Sequence, residues 1–153
     1  MGGVLQYIPH WDESKFTKKE SIDLIISNAV MEHIIDIEFV YKIMFDWLKP
    51  GGWCSHVIDY GAHELSENWY QHLYVNKRFW NFLMHGRMYP INRYPHSFHI
   101  KVLKKLGYEI IYENKTFNKK ADKRKISSTI KNLFSEEDLV ISGAHIILRK
   151  PQE

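Results

Sequence analysis

The stretch Ile22-Asp23-Leu24-Ile25-Ile26-Ser27 constrains this chain more than any other. It is a nearly unbroken apolar run of strand length, the pattern of a parallel strand covered on both faces. After it, Ile37, Val40, Tyr41, Met44, Phe45 and Leu48 recur at the spacing of one helical face, and Asp36 is placed to accept from an orphan N–H of the first turn. Lys49-Pro50-Gly51-Gly52 then stops the helix, because proline disfavours helical geometry before it and glycine permits a sharp reversal. Trp53 to Ile58 reads as the next strand. Strand, crossover helix and strand predict a parallel pair of right-handed connection, hence an α/β fold.

The rest of the chain, 1–153, reads as one domain around that unit. Val4 to Ile8 is a short strand ended by Pro9, and Asp12 to Glu20 is a polar loop. Residues 63–95 are dense in aromatics and histidines without one clean period, and read as an inserted helical cap with helices over Trp69 to Tyr74 and Lys77 to His85. Ser97 offers an N-cap for a helix that turns Phe98, Val102, Leu103 and Leu106 inward and stops at Gly107. Tyr108 to Tyr112 is a third core strand, Asn114 to Lys125 a solvated basic segment, Ile126 to Phe134 a modest helix, and Ser142 to Arg149 the last strand.

Composition excludes more than it selects. With 21 Lys and Arg against 18 Asp and Glu, the charge balance gives no argument for nucleic acid. One cysteine, Cys54, allows no internal disulfide and suits a reducing cytoplasm. No apolar run approaches the ~20 residues that cross a bilayer.

Ser21-Ile22-Asp23-Leu24-Ile25-Ile26-Ser27-Asn28-Ala29-Val30-Met31-Glu32-His33, followed after a helix by Leu48-Lys49-Pro50-Gly51-Gly52, resembles class I S-adenosylmethionine-dependent methyltransferases. The resemblance implies a partial Rossmann-like sheet in the family's strand order 4-5-7-6, the last strand antiparallel, with helices on both faces and a cap insertion. It makes Ile22 to Ser27 the fourth strand, and Val4 to Ile8 the third. It implies S-adenosylmethionine as cofactor, with Asp12 and Glu13 near the adenine and Ser27, Asn28, Ala29 and His33 toward the methionine. A turn-forming carboxylate is the alternative for Asp12, and capping or packing the alternative for His33. The glycine-rich E/D-x-G-x-G turn and the ribose-binding acid of the family have no counterpart here. Cofactor affinity is therefore expected to be poor, since those glycines allow close backbone approach and the carboxylate grips the ribose.

Ligands of open α/β sheets sit beyond the carboxyl ends of parallel strands, which favours Ser27 to His33 and Asp59 to His63. Asp59 and His63 stand four apart and could act together as a base for an acceptor hydroxyl, although such spacing also arises by chance. With His56 or His72 they match no metal-binding pattern, so no metal is expected. Trp69, Tyr70, Tyr74, Trp80, Tyr89 and Tyr94 could wall an acceptor pocket or form the core of the cap. Lys119, Lys120, Lys123, Arg124 and Lys125 are most simply a solvated loop. The function implied is methyl transfer to a small-molecule or glycan acceptor in a complete form. The alternative is a cofactor-free interaction module or pseudoenzyme. Without its first strand such a sheet leaves the Ile22 to Ser27 edge bare, and a homodimer or a missing N-terminal half is expected to cover it.

Overall fold

The computed structural model describes residues 18–65 and 67–152, so the expected strand Val4 to Ile8 and the acidic pair Asp12 and Glu13 lie outside the described residues. β1 (Ile22–Asn28) and β2 (Leu48–Asp59) run parallel and are joined through α1 (Ile37–Trp47). β4 (Ile141–Arg149) lies antiparallel beside β2, and β3 (Glu109–Phe117) pairs antiparallel with β4. The order β1-β2-β4-β3 is the 4-5-7-6 arrangement implied by the resemblance.

α1 forms as its pattern predicts. The Asp36 carboxylate accepts from the Phe39 N–H at 3.1 Å, and Ile37, Val40, Tyr41 and Met44 are buried against the sheet. The proline–glycine segment differs from expectation. It belongs to the start of β2 as a bulge, not to a free bend: Ile22 pairs with Leu48 but Leu24 pairs with Trp53. Gly51 takes φ +78°, and its N–H donates to the Lys150 carbonyl at 3.0 Å. A Cβ on Gly52 would lie 2.9 Å from the Lys49 carbonyl oxygen, so the bulge requires glycine there.

α3 (His96–Lys105) starts one residue before its predicted cap. Ser97 is inside the first turn, and its N–H and hydroxyl both donate to the buried carboxylate of Asp138, at 2.9 and 2.7 Å. The cap comes from far along the chain, which local sequence cannot announce. β3 runs five residues past Tyr112 into the supposedly solvated segment. Its Glu113, Asn114, Lys115 and Thr116 suit an outermost strand, where charge blunts an exposed edge. The helix expected at Ile126 to Phe134 is reduced to one 3-10 turn, Lys131–Leu133. Ser127 and Thr129 bond to each other there at 3.0 Å, the local competition that makes such residues poor helix formers.

Among the described residues, the sheet-packed helices α1 and α3 lie on the same face. Tyr41, Met44, Leu48, Cys54, Ile58, Val102, Leu103, Ile146 and Leu148 form the core between them and the strands. On the opposite face Leu24 is 52% and Ile26 69% exposed, so double coverage of this strand is not met there. β1 also pairs only with β2 among the described residues. The cap carries a 3-10 turn, Gln71–Tyr74, and α2 (Lys77–Met84), and packs through Tyr70, Leu73, Ala121, Ile126, Phe134 and Leu139. No described helix is long and apolar enough to cross a membrane.

Candidate functional site

Two segments leave the carboxyl ends of β1 and β2 side by side. The first turns at Ala29, whose φ is +51° and whose N–H donates to the Val57 carbonyl at 3.0 Å. The second turns at His63, also at φ +51°. Left-handed backbone at non-glycine residues costs about 1–3 kcal/mol and persists only where surroundings enforce it. The segments that leave these two turns meet where His33 stacks on His63.

Beyond Ala29 a 3-10 turn, Met31–His33, buries Met31 completely and carries Glu32 inward. Glu32 is only 2% exposed, yet neither carboxylate oxygen has a partner. Burial pushes its carboxyl above the usual carboxylate range, partly offset by its own backbone and by His33 and His63. The turn is clamped from the cap: the Asn92 amide donates to the Met31 and Ile34 carbonyls, both at 2.8 Å, and the Asn92 N–H to the Glu32 carbonyl at 2.7 Å. His33 Nδ1 lies 3.2 Å from the Pro90 carbonyl oxygen. Its ring stacks on that of His63, with centroids 5.4 Å apart and planes 19° apart.

Asp59 and His63 do meet, though not on a helix. Asp59 ends β2 and His63 opens a 3-10 turn; the bend between them is held by the Gly61 N–H donating to Asp59 Oδ1 at 2.7 Å. His63 Nδ1 stands 3.6 Å from Asp59 Oδ2, an ion-pair distance rather than a hydrogen bond. Glu32, His33 and His63 each bring one potential ligand atom within 4.8 Å of the others. That group joins residues about thirty positions apart, so no spacing pattern reveals it.

Of the remaining candidates, Asn28 is exposed at the end of β1, while Ser27 is buried with its hydroxyl 2.8 Å from His56 Nδ1. This bond opens a network beneath the sheet that the sequence reading missed. Tyr41 bonds His99 Nδ1 and Tyr60 bonds His96 Nδ1, each at 2.9 Å, and His96 Nε2 reaches Glu113 at 3.0 Å. Burial holds His56 down to about 4 and His99 to about 3. Among the six cap aromatics, Trp80 and Tyr94 line a cleft of about 380 Å³ with Lys77, Asn92 and Arg93. Tyr70 is buried in the cap core, Trp69 donates to the Lys119 carbonyl at 2.8 Å, and the Tyr74 hydroxyl accepts from the Asp122 N–H at 2.8 Å. Tyr89 sits 5.8 Å from His33, ring to ring. In the basic segment Lys120 and Lys123 share Glu136, and Arg124 pairs with Asp122.

Known proteins give the same picture as the strand order. Residues 10–56 match the family described as methyltransferase domain. A SAM-dependent methyltransferase of Methanosarcina mazei superposes with TM-score 0.56 at 17% identity, over 88% of this chain and 62% of its own. The fold is that of class I S-adenosylmethionine-dependent methyltransferases. The phosphoethanolamine N-methyltransferase 2 of Haemonchus contortus, solved with S-adenosyl-L-methionine, aligns at TM-score 0.52 and 18% identity, covering 88% of this chain and 34% of its own. The [4+2]-cyclase SpnF aligns at 0.52 and 10%, over 96% of this chain and 53% of its own. No curated protein matches the sequence. The chain thus spans less than two thirds of the length of these methyltransferase-fold structures.

For S-adenosylmethionine itself, the described residues fit one flank only. Of the residues that the resemblance assigns to the methionine side, Asn28 is exposed, whereas the Ser27 hydroxyl is already committed to His56. The sequence holds no glycine-rich turn for the cofactor's close approach.

Proposed function

We propose that this chain is the acceptor-facing portion of an S-adenosylmethionine-dependent methyltransferase that acts on a hydroxyl of a small molecule or glycan. One observation carries the reading: the ends of two parallel strands bring His33, Asp59 and His63 around a single crevice. The cofactor supplies an activated methyl group on a sulfonium. This chain's residues have the lighter task of positioning and proton removal. Asn28, Ala29 and His33 flank the methionine side, and the resemblance assigns Asp12 and Glu13 to the adenine. His63, backed by Asp59, takes the hydroxyl proton, and the Trp80 and Tyr94 cleft holds the acceptor body. A missing N-terminal half, or a second copy, covers the edge of β1 and completes the cofactor site. The lone, buried Cys54 suits a reducing cytoplasm.

The bare apolar residues Leu24 and Ile26 favour a second reading, an interaction module that kept the sheet and lost the chemistry. Titration calorimetry with S-adenosylhomocysteine, alongside light scattering, separates the two. Weak but saturable binding is expected. A folded chain that gives no saturable heat, yet self-associates through β1, removes the methyltransferase reading for this chain and leaves the module.

A further inference from the structure

We propose that Glu32, His33 and His63 bind a divalent transition-metal cation of the zinc type, with Asp59 and the Pro90 carbonyl as the supports of its two imidazoles. Glu32 supplies the first reason. A carboxylate 2% exposed with both oxygens unpartnered is costly to bury, and a cation is one of the few groups that answers it fully. The histidines supply the second. Ligating imidazoles characteristically give their other nitrogen to a carboxylate or a backbone carbonyl, which fixes tautomer and ring orientation. Here Nδ1 of His33 faces the Pro90 carbonyl oxygen at 3.2 Å, and Nδ1 of His63 faces the Asp59 carboxylate at 3.6 Å. Both partners accept only and so favour the Nδ1–H form, through a hydrogen bond at His33 and through charge alone at His63, which leaves Nε2 to a metal.

Two imidazoles and one carboxylate suit zinc and its first-row neighbours, whereas calcium and magnesium prefer all-oxygen sites. Metal–nitrogen bonds of ~2.0–2.1 Å put tetrahedral ligand atoms roughly 3.4 Å apart. The observed spacing within 4.8 Å therefore closes by up to roughly 1.4 Å per contact on binding, a movement open to the partly exposed His63. Three protein ligands leave a position for a water or an acceptor hydroxyl, whose proton the ion would loosen in place of His63 as base. The strained turns at Ala29 and His63 hold the ligands on both sides of that position.

The inference stands on the crevice alone and not on methyl transfer. The test uses the tag-free chain, stripped with chelator and titrated with Zn²⁺ by calorimetry and with Co²⁺ by visible absorption. One equivalent of Zn²⁺ is expected, and Co²⁺ should give the absorption of a low-coordinate nitrogen and oxygen site. His63→Gly suits the left-handed backbone and should keep the fold; Glu32→Gln keeps the shape. Each should weaken Zn²⁺ by about tenfold or more, as loss of even a supporting group does at metal sites. His85→Ala, on an exposed histidine outside the group, should change nothing. Binding that survives both His63→Gly and Glu32→Gln, or is absent from the parent chain, overturns the site. Zinc binding without S-adenosylhomocysteine affinity leaves the metal site standing while the methyltransferase reading fails; the reverse result separates them in the other direction.

Discussion

Glu32, in the 3-10 turn beyond β1, and Glu113, on β3, both lie beside histidines, and their surroundings could hardly differ more. Glu113 receives His96 Nε2 at 3.0 Å and the Lys115 ammonium at 3.1 Å. Burial raises its carboxyl, but those two donors outweigh it and hold the group below the usual range. Glu32 is more deeply buried, and among the described residues no other residue donates a hydrogen bond to its carboxylate. The histidines divide the same way. Beneath the sheet His56, His96 and His99 face the hydroxyls of Ser27, Tyr60 and Tyr41, which can donate or accept as the core requires. At the strand ends His33 Nδ1 is bonded to the Pro90 carbonyl, whereas His63 Nδ1 only stands at ion-pair distance from the Asp59 carboxylate, which biases the Nδ1–H form by charge. The first group is sealed in the core, where His56 and His99 each keep a buried Nε2 without a partner among the described residues, and the second includes the exposed His63.

The largest effect expected from this division is acid lability of the core. His56 is held down to about 4, and His72 and His99 to about 3, chiefly by burial. An unfolded histidine titrates near 6.5, so below that pH the unfolded chain binds protons that the folded chain refuses. Stability is complete above pH 6.5 and falls as pH drops toward 4. Three such groups give a slope approaching ~4 kcal/mol per pH unit, enough to consume an ordinary domain's stability of ~5–15 kcal/mol near pH 5. Urea unfolding followed by tryptophan fluorescence at pH 7.5, 6 and 5 reads this directly. An unchanged midpoint across that range would mean that the buried imidazoles admit protons in the folded chain.

Replacing each glutamate by its neutral isostere sharpens the contrast. Glu113→Gln removes charge-assisted bonds to His96 and Lys115 and should lower stability by about 1–3 kcal/mol. Glu32→Gln removes a buried charge that has no partner, and should be neutral or stabilising by up to ~1–2 kcal/mol in metal-free buffer. Gain of stability on loss of a charged group is what a residue kept for binding shows. Denaturation of both variants at pH 7.5 decides it, and equal losses in the two would erase the distinction.

Much of this architecture is legible in the chain because its signals are local. The Ile22 run, the Asp36 cap, the spacing of Ile37 to Leu48 and the segment closing on Arg149 each state their own element. What was illegible depends on distant partners. Ser97 looks like a cap, but Asp138 supplies the cap from another segment. Asn114 to Thr116 look like a solvated loop, but they belong to an outer strand written in polar residues. At the site, Asp59 and His63 were legible as a close pair. Glu32 was not legible as a third member, because its approach to His63 is made by the parallel pairing of β1 with β2 and by Asn92 reaching back from the cap.

The smallest effect is the most discriminating between the two kinds of histidine partner. Ser27→Ala deletes a buried hydroxyl bonded to His56, and should cost about 1 kcal/mol. Asp59→Asn touches a pair whose side chains are 34% and 50% exposed and 3.6 Å apart, so solvent screening leaves less than ~0.5 kcal/mol to lose. Stability should therefore barely register Asp59. Nitrogen-15 NMR of the His63 ring should register it, because the nearby negative charge is lost and an amide can donate where a carboxylate cannot, so the bias toward the Nδ1–H form weakens. A ring that keeps one tautomer in Asp59→Asn would show that Asp59 does not orient His63, and the crevice would lose the feature that sets it apart from the core.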